Sequence, residues 1–175
     1  MKAPRAHGLT MLELVIAIAV LAVLASVALP SITARLERQR LSNAAETLAT
    51  DLSEARFEAA RRGQPLHIEP TVADKAWCWA VSTQAGCGCA PGQSQSQSQS
   101  QAQSCQLHQV LSSAYGGIKL LEPRPVRLNP AGTSETVTVA AFESSHGERL
   151  RVDLQALGRV RVCTAAGPDT RYPRC

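Results

Sequence analysis

Aromatic side chains are scarce: two Trp, two Tyr and two Phe make up 3% of the chain. A surface that stacks nucleic-acid bases would have little beyond Trp77, Trp79 and Tyr172 to draw on. Trp77 and Trp79 alternate with Cys78 in a run that reads as a strand, which assigns them to core or disulfide packing. No glycine-rich phosphate-binding loop is present. His67, His108 and His146 are scattered, and Ser144-Ser145-His146 has no evident acid partner. Adjacency in sequence is not triad geometry. The expectation is no catalytic residue, no cofactor and no enzyme, with those histidines on the surface or in loops. Cys87-Gly88-Cys89 lacks a second knuckle and a suitably spaced His pair, so no metal site is expected. The net charge of +4 is too small to name a partner; its distribution matters more.

Charge is missing altogether from Leu14 to Leu29, where Ser26 is the one polar residue. With Leu9 to Leu12 this makes about the 20 residues that a membrane-spanning helix needs. A cleavable secretory signal has a shorter apolar core of about 7–15 residues. This run is longer, continues into a charged helical pattern and carries Glu13. A carboxylate in such a setting costs about 2.5–3.5 kcal/mol at a helix centre and less near an end, so it needs a reason. Lys2 and Arg5 ahead of the run favour a cytoplasmic N-terminus, which places everything after Pro30 across the membrane. None of the six cysteines (Cys78, Cys87, Cys89, Cys105, Cys163 and Cys175) precedes the run. An even number in a small exported domain suggests disulfides, with their connectivity left open.

Beyond Pro30, which should kink the helix or open a turn, the helix becomes amphipathic. Leu41, Ala45, Leu48, Leu52, Ala55 and Ala59 recur every three or four residues as one apolar stripe. Arg38, Glu46, Asp51, Glu54, Glu58 and Arg62 largely occupy the other faces. Gly63 follows Arg61-Arg62, a helix stop with cations in the last turn. The segments PLHIEP, AWCWAVS, PVRLNP, ETVTVAAF, ERLRVDL and GRVRVC are short, mostly alternating or β-branched, and bounded by turn residues, so each predicts a strand. GQSQSQSQSQSQAQSC is low in complexity and reads as a flexible loop. The fold class expected is α+β: a long N-terminal helix packed on a C-terminal antiparallel β-sheet or β-sandwich domain.

Gly8-Leu9-Thr10-Met11-Leu12-Glu13-Leu14, followed by the apolar run and Pro30, resembles the N-terminal signal of type IV pilins and pseudopilins. Leu9 and Met11 depart mildly from the usual phenylalanine and leucine. The resemblance implies that a prepilin peptidase cuts after Gly8 and that Leu9 becomes an N-methylated first residue. It gives Glu13 a role: the carboxylate pairs with the new amine of a neighbouring subunit and sets filament register. The plain alternative is a polar residue snorkelling at the membrane edge. The resemblance also divides the chain into a leader (1–8), a transmembrane helix half (9–29), an amphipathic half (30–62) and a β-rich periplasmic domain (63–175) with a loop at 91–104. It implies a single-pass inner-membrane protein that enters a pilus with other minor pilins or pseudopilins.

The helix followed by a β domain closing in GRVRVC resembles the GspH/FimT-like minor pilins, a group that includes pseudopilins of type II secretion systems. Major pilins also commonly close on a cysteine pair, so Cys163 and Cys175 do not discriminate. In ERLRVDL, Leu150, Val152 and Leu154 should face one way and Arg149, Arg151 and Asp153 the other. In GRVRVC, Val160 and Val162 should point inward, Arg159 and Arg161 outward. A Cys163–Cys175 bridge would bring Arg171 and Arg174 close. Gly158-Arg159-Val160-Arg161 matches a GRxR motif that FimT-like pilins associate with DNA uptake, which makes double-stranded DNA an expected partner. The alternative is that arginines on a solvated strand face serve solubility and edge protection.

Overall fold

The computed structural model describes residues 11–91, 105–131, 136–167 and 171–175, without side chains over 25–31. Gly8, Leu9 and most of the glutamine-serine tract therefore lie outside the described residues. Helix α1 runs from Met11 to Arg62, with Glu13 in its first turn and Arg61 and Arg62 in its last, charges that suit the helix dipole. Gly63, at φ 66°, donates its N–H to the Ala60 carbonyl at 3.4 Å and closes the helix. The helix continues through Pro30, so the proline does not end it.

The chain divides into two compact units, Met1–Leu36 and Glu37–Cys175. In the first, eight apolar side chains from Leu14 to Leu24 are each 52–66% exposed. A helix apolar on every side has nothing in its own unit to bury against and calls for an apolar surrounding. Among the described residues no helix is long and apolar enough to cross a membrane. The described side chains stop at Leu24, however, whereas the uncharged run in the sequence reaches Leu29, and the expected span rests on that longer run.

In the second unit eight antiparallel strands form two sheets. β1 (Leu66–Ala73), β2 (Ala76–Ser82), β3 (Gln106–Leu111) and β5 (Val126–Leu128) lie in the order β3-β2-β1-β5; β4 (Lys119–Leu121), β6 (Val137–Glu143), β7 (Arg149–Leu154) and β8 (Val160–Ala166) lie in the order β4-β6-β7-β8. The six strand segments read from the sequence are all present. β3 and β4 are additions that the sequence did not announce.

All six residues of the predicted α1 stripe are buried, and they share one core with side chains of both sheets. Trp77 and Trp79 stack at 5.4 Å, and Phe142 from the other sheet meets them edge-on at 5.5 and 5.9 Å. On the opposite face of β2, Cys78 bonds Cys89, covering Cys78 and Ala80. Cys87–Cys105 and Cys163–Cys175 complete three disulfides, and among the described residues no cysteine is free.

One helix position departs from the pattern. Asp51, expected on a solvated face, is only 8% exposed and accepts a 2.6 Å hydrogen bond from the Trp79 indole N–H. Burial pushes its carboxyl above the usual aspartate range, against the opposing pull of that bond and of His108. Because the folded form holds the proton more tightly than the unfolded chain, this group's contribution falls as pH rises above the unfolded value near 3.8. Asp51→Asn retains an acceptor for Trp79. It should raise stability at pH 7 and flatten the decline between pH 4 and neutrality, as read by urea unfolding across that range.

Candidate functional site

The start of the second unit is held by the β6–β7 turn. Gly147, at φ 79°, permits a tight connection in which Ser144 and Glu148 exchange backbone and side-chain hydrogen bonds. Glu148 accepts two bonds from Arg38 Nε at 3.1 Å and one from its Nη2 at 2.5 Å. Glu37 accepts from the Ser145 amide at 2.5 Å and the Ser145 hydroxyl at 2.8 Å, and lies 2.9 Å from His146 Nδ1. Ser145-His146 therefore does have an acid partner, 108 positions away, contrary to the sequence reading. The geometry is still not that of a triad. Ser145 Oγ sits 3.3 Å from the same His146 nitrogen that faces Glu37, so no chain leads from acid through both ring nitrogens to hydroxyl. Burial alone would raise the Glu37 pKa, but the Ser145 donors and His146 outweigh it and hold it low. The three side chains form a clamp. His67 and His108 stand on strands β1 and β3, His67 half-buried and His108 exposed on the surface, and among the described residues no cluster could hold a metal ion.

The β7–β8 turn carries the GRVR segment. Its tip, Ala156–Gly158, is a short 3-10 turn in which Leu157 and Gly158 both adopt left-handed backbone, φ 65° and 74°. Gly158 is buried against α1: a Cβ there would fall on the Arg56 side chain, whose Nη1 donates to the Gly158 carbonyl at 3.3 Å. Glycine is thus required twice, for its backbone angle and for the close approach. Leu157 is 74% exposed.

The arginines do not share one open face. Arg149 pairs with Glu143 at 2.7 Å, and Arg151 with Asp153 at 3.0 Å. Asp153, expected to be solvated beside them, is buried and accepts from Thr138 at 2.9 Å. Opposite Asp153 in the β7–β8 register is Arg161, which donates to the Arg174 carbonyl at 2.8 Å. Val160 and Val162 pack on the core. Arg171 reaches Ser42 Oγ at 2.6 Å and lies over the Tyr172 ring; Tyr172 is half-buried and bonds Glu46. The C-terminal residues run beside β8: Thr164 N–H donates to Pro173 O at 2.8 Å, and Cys175 N–H to Thr164 O at 3.2 Å. The Cys163–Cys175 bond fixes them there. The resulting basic surface centres on Arg159, Arg161 and Arg174, while Arg149 and Arg151 are compensated within their own sheet.

A helix stripe laid on two antiparallel four-stranded sheets, continuing from an apolar stem with a carboxylate in its first turn, defines the pilin-like class. The family model for type II transport protein GspH matches residues 44–158, and that for the prokaryotic N-terminal methylation motif matches residues 4–29. The chain belongs to the type II transport protein GspH family and is a minor pilin or pseudopilin. The searches of curated proteins and of solved structures return no match. The GspH match stops at Gly158, so Arg159, Arg161 and the C-terminal tail lie beyond it.

Gly158→Ala should displace Arg56 and strain the turn, lowering unfolding free energy by about 1–2 kcal/mol, measured by denaturant titration. Arg56→Ala in the same background should recover little, because the backbone angle remains.

Proposed function

We propose that this chain is a FimT-like minor type IV pilin. Residues 9–29 insert in the inner membrane, the prepilin peptidase cuts after Gly8, Leu9 is N-methylated, and the subunit joins a pilus or its tip complex with other minor pilins. The observation that carries the reading is the coincidence of Gly8, Glu13 and a stem whose apolar side chains are exposed on every side. Such a stem gains by packing among other stems or lipid tails. Within that packing, an amine freed on Leu9 and the Glu13 carboxylate of the next subunit satisfy each other. A buried pair of this kind serves register more than net stability. The mature protein should give a first residue of N-methyl-leucine by mass spectrometry of the membrane fraction; an intact Met1 or Lys2 start refutes the reading. Glu13→Ala should be processed yet enter filaments poorly.

The pseudopilin of a type II secretion system is the second reading, favoured by the description of the matching family. Deleting the chain separates the two: loss of pili points to the first, and loss of secreted enzymes to the second.

Under the pilus reading, the periplasmic domain binds double-stranded DNA through Arg159, Arg161 and Arg174, with Arg171 and the ion-paired Arg149 and Arg151 contributing less. Phosphate contacts from arginine give affinity that falls with salt whatever the sequence. Arg159→Ala with Arg161→Ala should weaken duplex binding by the full chain in detergent and lower the log–log salt slope by about 2. An unchanged slope, or no binding by the wild type, refutes the DNA proposal and leaves the pilin reading standing.

A further inference from the structure

Along one flank of α1 an open trough runs between the helix and β3. One end is a cleft of about 690 Å³, with Phe57 and Leu107 as apolar walls over Leu66 and Val81. The adjoining cleft, about 650 Å³, carries Glu46, Asp51 and Glu54 and no lysine or arginine among its described lining residues. Asp51, Glu54 and His108 line both, so the two clefts form one surface. Phe57 is 72% exposed and Leu107 44%, an unusual display for a chain with two Phe in all. Arg62, at the apolar end, is paired with Glu58 at 2.5 Å. Of the remaining carboxylates, Asp51 lies 3.7 Å from His108 Nε2 and Glu46 accepts from the Tyr172 hydroxyl, while Glu54 has no lysine or arginine partner among the described residues. β3 is the outermost strand of its sheet, so no further strand closes that side.

The opposite flank of α1 presents the complementary shape and charge. Arg56, on which the β7–β8 turn rests, and Glu54, in the trough, are two positions apart and so point to opposite sides of the helix, about 200° by the helical repeat. At the tip of that turn Leu157 is held outward in left-handed backbone. A leucine pays conformational energy to sit there, and among the described residues of its domain none covers it. Two residues on, Arg159 is exposed; its carbonyl accepts from the Gln155 N–H at 2.7 Å, and among the described residues its guanidinium makes no hydrogen bond or ion pair. An apolar knob followed by a cation matches an apolar cleft followed by carboxylates. Since knob and trough lie on opposite flanks of one helix, they suit different copies better than the same one. The contact they make is head-to-tail and can repeat.

We propose that the β7–β8 turn of one copy docks in the α1–β3 trough of a second, with Leu157 entering between Phe57 and Leu107 and Arg159 meeting Glu54. The contact requires neither cleavage at Gly8 nor DNA. The uncut full chain, carrying one of two affinity tags and kept in detergent micelles, tests it by co-capture and sedimentation. Wild-type copies should associate, less so at high salt. Leu157→Asn relieves the left-handed backbone while removing the knob. It should keep or raise the melting temperature, leave DNA affinity unchanged and weaken association about tenfold or more, as expected for a central apolar anchor. Phe57→Ser should do the same from the trough side. Glu54→Arg and Arg159→Glu copies should each fail to self-associate, and mixing the two should restore pairing. The proposal is overturned if wild-type copies do not associate, if association survives Leu157→Asn and Phe57→Ser (and so runs through the stems), or if the folded charge-reversed copies do not recover each other.

Discussion

One helix has to satisfy two surroundings, and the structure follows from how it does so. From Leu14 to Leu24 the side chains of α1 are apolar on every side and exposed. From Leu41 to Ala59 apolar residues narrow to a stripe that both sheets cover. Much of that stripe is alanine, which lets the sheets approach closely and leaves room for the large residues opposite: Trp77, Trp79 and Phe142. Replacing any of Ala44, Ala45, Ala55 or Ala59 with a larger residue would push a sheet away from the helix, since packed interiors yield little. The stem, by contrast, has no jigsaw partner in its own unit, so its sequence is free to be uniformly greasy.

Polar contacts then fix the domain on the helix at separated points. Arg38 and Glu37 hold the β6–β7 turn, Asp51 takes the indole N–H of Trp79, and Arg56 holds the β7–β8 turn. No buried side-chain nitrogen or oxygen among the described residues lacks a partner, so these contacts position the sheets without leaving polar groups stranded. Each engages a turn or, at Trp79, a core side chain, which leaves strand pairing to the backbone.

Much of this was legible in the sequence, because periodicity speaks locally. The stripe at three- and four-residue spacing, the Gly63 stop and the alternation around Trp77-Cys78-Trp79 all report on near neighbours along the chain. β3, Gln106–Leu111, was not legible: it is polar at three of six positions and follows a low-complexity tract. β4 has three residues and too little pattern to register. The Glu37–Ser145 clamp joins residues 108 positions apart, and nothing in either segment names the other. Asp51 misled because a carboxylate at the margin of an apolar stripe looks solvated until a tryptophan N–H is found facing it. For the arginines, alternation located the strand faces but not the acids that neutralise Arg149 and Arg151. It also gave no hint that Leu157 adopts left-handed backbone.

The strip of residues beside β8 has a consequence for how the edge of that sheet is protected. β8 is the outermost strand of its sheet, and the tail, bonded through Thr164 and locked by Cys163–Cys175, occupies part of its outer edge. An uncovered edge is a template for pairing with other chains. In a reducing compartment that lock cannot persist, and the edge would open to aggregation between nascent copies. Oxidation of Cys163 and Cys175 therefore keeps that part of the edge covered, and reducing the bond would uncover it.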